Sequence, residues 1–285
     1  MSADDWREAN RANWDERVEV HLKAYDLRAL RAGRGSLNAI EEAELGPVAG
    51  KRLLHLQCHF GNDTLALAQR GAEVVGLDFS PAAIAAAHAL ADELGLAARA
   101  RFVHADLYDA PVAIAEPGAF DIVYVTWGAL CWLPDVPRWA EIVAFFLKPG
   151  GFLYHAEGHP AALVFDDEMP CADGRPGYFA PYFQREALIL DDHRDYADPN
   201  ARLTNTRTHQ FMHPLAEVVT ALLRAGLVLE FLHEHDHVPW RMFSSLVECG
   251  DGEGQWREYK WPDRPWLPLS YSLRVRRPVG AATKT

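Results

Sequence analysis

Several features of soluble-protein specialisation are scarce in this chain. No apolar run approaches the roughly 20 residues of a membrane-spanning helix. The N-terminus, MSADDWREANRANWDERVEVH, is charged where a signal peptide carries an apolar stretch. Only four cysteines occur (Cys58, Cys131, Cys171 and Cys249), scattered and without CxxC spacing. They suggest reduced thiols in a cytoplasmic protein rather than a disulfide framework. Basic residues are outnumbered 28 to 40, and a net charge of −12 leaves no basic face for general nucleic-acid binding. Internal repeats and low-complexity tracts are absent as well.

What is present is ordinary globular material: 285 residues, 49% hydrophobic and 24% charged, enough for a sizeable core. Helices announce themselves by punctuation. Ser80 and Pro81 open one that Gly95 closes, with Ile84, Ala87, Ala91 and Leu94 at helical spacing. Pro137 opens another, ended by Gly150-Gly151, and Pro214 opens a third, closed by Gly226. Between them lie strand-like runs at 53–57, 73–77, 100–104, 121–126, 151–156, 227–233 and 269–275. The first five alternate with helices, which predicts a parallel sheet with right-handed crossovers. The last two have no good helix between them, so an antiparallel return at the sheet edge is expected. Residues 1–45 read as a helical cap before the first strand. Residues 160–212, rich in Pro, Asp, Arg and aromatics, read as an inserted lid or substrate element.

Residues 53–80, LLHLQCHFGNDTLALAQRGAEVVGLDFS, read as strand, turn, helix and strand, with Asp78 placed to accept from ribose hydroxyls. The turn lacks glycine where it is expected: Gln57, Cys58, His59 and Phe60 precede the one glycine, Gly61. The next helix starts Asn62-Asp63-Thr64, and a carboxylate there repels a pyrophosphate while capping the helix. A sulfonium cofactor with a zwitterionic tail meets no such objection, which favours S-adenosylmethionine over NAD or FAD.

The same segments resemble the motifs of class I S-adenosylmethionine-dependent methyltransferases over residues 50–157 and 214–276. LHLQCHFG stands in the first-motif register, with His55 at the usual acidic position and Gln57 and His59 replacing glycines. It is similar to turns in a small-molecule branch of that family. VVGLDFS, FVHADLYD, FDIVYVTWGALCWL and LKPGGFLYHAE resemble the following motifs. The resemblance implies an α/β, Rossmann-like seven-stranded mostly parallel sheet with an antiparallel last strand. To that fold are added the helical cap (1–45) and, within a methyltransferase domain at 46–285, the lid. It implies cofactor contacts from Gln57, Cys58, His59, Phe60, Gly61 and Thr64, and from Asp78, Phe79 and Ser80. Asp106 and Leu107 are implied near adenine, and Thr126, Trp127 and Gly128 at the methionyl end. Arg34, between Gly33 and Gly35, is the expected partner of the methionyl carboxylate, ahead of Arg31.

Methyl transfer needs a positioned nucleophile, and a base only if the acceptor is protonated. Glu157 and His159 in HAEGHP are the candidates after strand five, with capping or loop bonding as the alternative and His155 ranked below them. Trp127 and Trp132 bracket GALC, as core or as an acceptor pocket. Tyr178, Phe179, Tyr182 and Phe183 are candidates for a cation–π lid or for the lid's own core. Trp14 and Tyr25 are expected to close the acceptor site from the N-terminal segment. His233, His235 and His237 alternate in FLHEHDH, and a polar strand end bordering the cleft, with His233 near substrate, is preferred to a metal site. The resulting expectation is a cytoplasmic enzyme that methylates a small molecule, with no metal, nucleic acid or membrane partner and an undetermined oligomeric state. The rivals are a catalytically inactive S-adenosylmethionine-binding regulatory protein of the same fold and an NAD-dependent oxidoreductase.

Overall fold

Strands that are apolar on both faces need cover on both sides, and here helices supply it in two layers. The computed structural model describes residues 5–167, 170–249 and 257–280. Residues 1–4 of the expected cap, 168–169 of the lid and 250–256 and 281–285 of the main domain lie outside the described residues. The chain opens with helices α1 (Asp5–Ala24), α2 (Arg28–Arg31) and α3 (Ala39–Glu44). It continues as β1 (Arg52–Leu56), α4 (Asn62–Gln69), β2 (Glu73–Asp78), α5 (Pro81–Glu93) and β3 (Ala100–His104). Then come α6 (Ala110–Ile114), β4 (Phe120–Thr126), α7 (Val136–Phe146) and β5 (Leu147–Gly158).

The insertion forms two small hairpins, β6 (Phe165–Asp166) with β7 (Gly177–Tyr178) and β8 (Leu188–Asp191) with β9 (Arg207–Gln210). After α8 (Leu215–Arg224) and β10 (Val228–His235), a small sheet of β11 (His237–Val238), β12 (Val247–Cys249) and β13 (Glu258–Lys260) precedes β14 (Ser270–Arg276).

The main sheet has seven strands in the order β10-β14-β5-β4-β1-β2-β3. Six run parallel, and β14 alone runs against both β5 and β10. The antiparallel return is therefore internal, and β10 takes the edge that the sequence suggested for the return. Strand order reverses between β1 and β4, so their carboxyl ends open a crevice at the switch point. Trp139, Phe146 and Val143 of α7 pack with the α8 side of the core, while α4 and α5 cover the opposite face.

Local chemistry explains most element ends. Ser80 caps α5 by accepting from Ala83 N–H at 3.0 Å, with Pro81 as first helical residue. Asp135 caps α7 by accepting from Arg138 N–H. That helix ends at Phe146, earlier than the Gly150-Gly151 pair suggested, because β5 already begins at Leu147. Gly151 serves the strand instead: a Cβ there would come within 2.9 Å of the Asp121 carbonyl oxygen.

The N-terminal helix and the insertion bind each other. Asn10 Nδ2 donates to the His209 carbonyl at 2.9 Å and Asn10 Oδ1 accepts from His209 N–H at 2.7 Å. Asn13 donates to the Asn205 carbonyl at 2.6 Å, and Glu16 accepts from Thr204 and Asn205 N–H. No helix among the described residues is long and apolar enough to cross a membrane.

Candidate active site

The turn after β1 shows how the absent glycines are managed. Gln57 and His59 both adopt left-handed backbone, with φ of 58° and 50°. The chain thus follows a path that glycine takes freely and that costs an L-residue about 1–2 kcal/mol. Gly61 completes the turn at φ 79°, and a Cβ there would meet the Phe102 ring at 2.7 Å. A third strained residue, Trp127 at φ 50°, follows β4, with Gly128 beside it at 76°. These three side chains line one cavity of about 1660 Å³ at the switch point, while Ala115, the fourth left-handed non-glycine residue among the described residues, closes α6 away from it. Strain gathered at one cleft marks a functional site more than a folding accident.

Tertiary bonds hold these turns. Cys58 N–H donates to the Leu77 carbonyl at 2.9 Å, and His59 N–H to Asp78 Oδ2 at 2.8 Å. Gln57 Nε2 donates to the Ala129 carbonyl at 2.9 Å, while its Oε1 is buried and has no partner among the described residues. Asp78 also accepts from Ser80 N–H at 2.9 Å, and burial pushes its carboxyl up to about 6 against these hydrogen bonds. Asp106, after β3, accepts from Tyr108 N–H at 2.9 Å and pairs with Arg7 of α1 at 3.3 Å; burial raises its carboxyl too.

Glu157 has a different place from that of a free base. Its carboxylate accepts from the backbone N–H groups of Gly128 (2.5 Å), Ala129 (2.7 Å), Leu130 (3.1 Å) and Gly158 (2.9 Å). It holds the loop after β4 in shape, and burial raises it while those four donors favour its anion. His159 lies off the cavity: its Nδ1 accepts from Ala161 N–H and its Nε2 pairs with Glu234 at 3.0 Å. His155 is buried within the sheet between the Val125 carbonyl and the Tyr271 hydroxyl. Burial pushes its imidazole down to about 4.

Of the expected cofactor residues, Gln57, Cys58, His59, Phe60 and Gly61 line the cavity. So do Asp78, Phe79, Asp106, Leu107, Thr126, Trp127 and Gly128. Three do not. Thr64 is buried beneath the turn, bonded to His55 Nδ1 at 2.8 Å, and Ser80 is occupied as a helix cap and as a donor to Asp15. Arg34 is exposed on the turn before α3, and Arg28 stands at the cavity instead.

Among the expected substrate residues, Trp14, Tyr25 and Trp132 line the cavity. Trp14 meets Trp132 edge-on at 5.4 Å between ring centroids. Tyr178 is 81% exposed and stacked on Phe165, and Tyr182 accepts from Leu215 N–H at the start of α8. His233 stacks on Phe231 and bonds Glu44 at 2.7 Å, outside the cavity. Tyr178 and Tyr182 therefore sit off the cavity, which the insertion reaches through Pro160, Leu163, Tyr196, Ala197 and Phe211. No three His, Cys, Asp or Glu side chains among the described residues are grouped to hold a metal.

The donor set suits a particular ligand. Carboxylates at the ends of β2 and β3 match ribose hydroxyls and an adenine amino group. Asp63 at the start of α4 adds a carboxylate where a cation, not a pyrophosphate, fits. The neutral His55 leaves the usual acidic position of the first strand uncharged, with burial holding its imidazole near 3.

The comparisons agree. A family model described as "Methyltransferase domain" matches residues 53–151. Over those residues the chain carries a methyltransferase domain, and its fold is that of S-adenosylmethionine-dependent methyltransferases of known structure. A ubiquinone biosynthesis O-methyltransferase of Pseudomonas aeruginosa is 32% identical over 163 residues, 55% of this chain and 64% of that one. A 23S rRNA (uracil(1939)-C(5))-methyltransferase of Nitrosospira multiformis is 40% identical over 129 residues, 43% of this chain but 27% of its own. The chain thus spans less than two thirds of these relatives. An S-adenosylmethionine-dependent methyltransferase of known structure from Mesorhizobium loti superposes with a TM-score of 0.56 at 22% identity. The match covers 84% of this chain and 96% of that one, and it shares the fold.

Sequence reasoning missed His21 and Asp195. His21 Nδ1 bonds His59 Nε2 at 2.9 Å, and His21 Nε2 bonds Asp195 Oδ2 at 3.0 Å. A signal existed for the first: Asn10, Asn13, Trp14, Arg17 and His21 recur at helical spacing and mark one face of α1. Nothing local points to Asp195, which meets His21 across 174 residues.

Proposed function

We propose that the protein transfers a methyl group from S-adenosylmethionine to a small-molecule acceptor. The cavity carries this reading. At about 1660 Å³ it exceeds the roughly 300–1,000 Å³ of a pocket for one small ligand, which leaves room for cofactor and acceptor together. Its lining includes Asp78 and Asp106 together with Trp132, Trp240 and Tyr259.

The cofactor supplies a methyl group already activated on a sulfonium sulfur. The chain's share is binding and orientation. Asp78 accepts from the ribose, Asp106 from the adenine amino group, and Phe79 and Leu107 border the ring. Trp14 and Trp132 border the acceptor with two perpendicular rings, which confines its nucleophilic atom to near-attack range. The N-terminal helices and the insertion act together as a cover over this space, joined by Asn10 and Asn13.

Charge supports a small acceptor over RNA. Asp26, Glu42, Asp63, Glu248 and Glu258 line the cavity against Arg28, Arg241 and Arg257. An acidic mouth repels a phosphodiester backbone. The Pseudomonas relative is named for O-methylation in ubiquinone biosynthesis, which favours an oxygen acceptor. The four cysteines are all unpaired, in keeping with a cytoplasmic location.

The test is label transfer from methyl-tritiated S-adenosylmethionine to a panel of phenols and catechols, with an rRNA transcript in parallel. Label in at least one phenol or catechol is expected. Label in the transcript alone overturns the small-molecule reading, and label in neither overturns the activity.

A further inference from the structure

Resting on the proposed methyl transfer, we infer that His59 is the general base that takes the acceptor's proton, held ready by His21 and Asp195. The three residues come from three separate parts of the fold: the turn after β1, helix α1 and the loop between β8 and β9. They form a continuous line of hydrogen bonds, 2.9 Å from His59 to His21 and 3.0 Å from His21 to Asp195.

The line starts from one charge. Asp195 Oδ2 accepts from Arg17 at 2.8 Å as well as from His21, and Oδ1 accepts from Ala197 N–H at 2.7 Å. Burial alone would raise this carboxyl, but the His21 bond, the Ala197 N–H and Arg17 bring it down to about 2. An ionised Asp195 accepts a hydrogen bond from His21 Nε2. The relay uses the tautomer in which His21 Nδ1 accepts from His59 Nε2. His59 Nδ1 is left bare, and nothing among the described residues bonds it. His59 lines the cavity.

The surroundings favour this form. Burial pushes the His59 imidazole well below its ordinary value, so the ring is neutral near pH 7. The charged and titratable groups facing it are His21 and Arg17 of α1, Asp195 and Tyr196 of the insertion, and Asp78 through the His59 N–H. His21 is fully buried, stacked on Tyr25 at 5.2 Å and met by Tyr196 at 4.9 Å, so water does not break the line. The Trp14 ring meets both the His59 ring (5.3 Å between centroids) and the Trp132 ring (5.4 Å), which sets the His59 ring beside this aromatic wall. Glu157, spent on four backbone donors, and His159, outside the cavity, are not rivals for the role.

In the step itself the acceptor's O–H bond breaks, the proton bonds to His59 Nδ1, and the electron pair stays on oxygen. The new imidazolium is stabilised through His21 by the Asp195 carboxylate, as a carboxylate stabilises a catalytic histidine in a triad. The proton passes to solvent before the next turnover.

The experiment uses the full chain with ring-15N histidine, saturated with S-adenosylhomocysteine, followed by NMR from pH 4 to 9. His59→Gln assigns the resonance. At pH 7 we expect Nε2 protonated and Nδ1 bare, with a titration midpoint at least half a unit lower in Asp195→Asn. A proton on Nδ1, or a midpoint unmoved by Asp195→Asn, overturns the relay. With a phenol or catechol that the protein methylates, His59→Gln is expected to lose at least 100-fold in kcat and keep its S-adenosylhomocysteine Kd within threefold. Asp195→Asn is expected to lose at least tenfold in kcat with KM retained, and Asp195→Glu to recover part of it. A His59→Gln enzyme with normal kcat and a Kd weakened tenfold makes His59 a cofactor ligand and overturns the proposal. Should no small molecule accept the methyl group, the proposed function fails, while the NMR result still decides the relay.

Discussion

Gln57 Nε2 donates to the Ala129 carbonyl oxygen at 2.9 Å, and this bond joins the turn after β1 to the loop after β4 across the cavity. Both loops are strained, at Gln57 and at Trp127, so the bond links two left-handed turns. Neither turn keeps its shape by local preference alone.

That strain is measurable. Gln57→Gly relieves the left-handed penalty but loses the Ala129 bond, and these effects nearly cancel. Its stability is expected within about 1 kcal/mol of the parent. Gln57→Val, β-branched at positive φ, is expected to lose about 2 kcal/mol or more. Urea denaturation of the two variants decides; equal stabilities would show that the turn relaxes.

Asp78 has two duties, accepting from His59 and Ser80 N–H and facing the cavity. Asp78→Ala is expected to raise the S-adenosylhomocysteine Kd at least tenfold, since a charge-assisted bond contributes about 1.5–3 kcal/mol. Calorimetric titration reads this directly. An unchanged Kd would remove the ribose role.

Glu157 serves as an anchor in this geometry. Glu157→Ala strips four backbone donors of their acceptor, each costing about 1–3 kcal/mol where water cannot replace it. A stability loss of about 3 kcal/mol or more is expected in chemical denaturation, and less for Glu157→Gln, which keeps one acceptor oxygen. A Glu157→Ala protein as stable as the parent would contradict the anchoring role.

Glu41 predicts an unusual pH dependence. It is fully buried in the capping box of α3, accepting from Asn38 N–H and from the Tyr124 hydroxyl. Burial first, then the nearby Asp63, pushes its carboxyl up to about 8. The folded chain therefore binds this proton more tightly than the unfolded one, so stability falls as pH rises from about 4.5 to about 8. The difference is expected to be on the order of a few kcal/mol, and Glu41→Gln is expected to shrink it, leaving the share of Asp63 and Asp78, whose carboxyls burial raises to about 7 and about 6. Denaturation midpoints at pH 5 and pH 8 test this, and parallel pH profiles for parent and variant would refute it.

The parallel strands, the helices between them and the placement of Asp78 and Asp106 were legible because each arises within one local strand-turn-helix unit. Ser80-Pro81 and Pro137 marked real helix starts for the same reason. Thr64 was misjudged because its sequence neighbours face the cavity while helical rotation turns it to His55. Tyr178 and Tyr182 were misjudged because composition shows an aromatic segment but not which way its hairpin faces. Glu157 was found at the right strand end, yet its role depends on the Gly128–Leu130 backbone coming back over it.

The sequence by itself determined the repeating βαβ pattern, the acidic residues at the strand ends and the absence of a glycine-rich phosphate cradle, because these rest on local periodicity and residue chemistry. Only the tertiary structure decided that Gln57 and His59 follow the glycine path, since bonds to Ala129, Asp78 and His21 sustain that strain. It also decided that His59, His21 and Asp195 form one line. Proton position in a histidine depends on what lies within 3 Å of each ring nitrogen, and that distance is set by packing rather than by order along the chain.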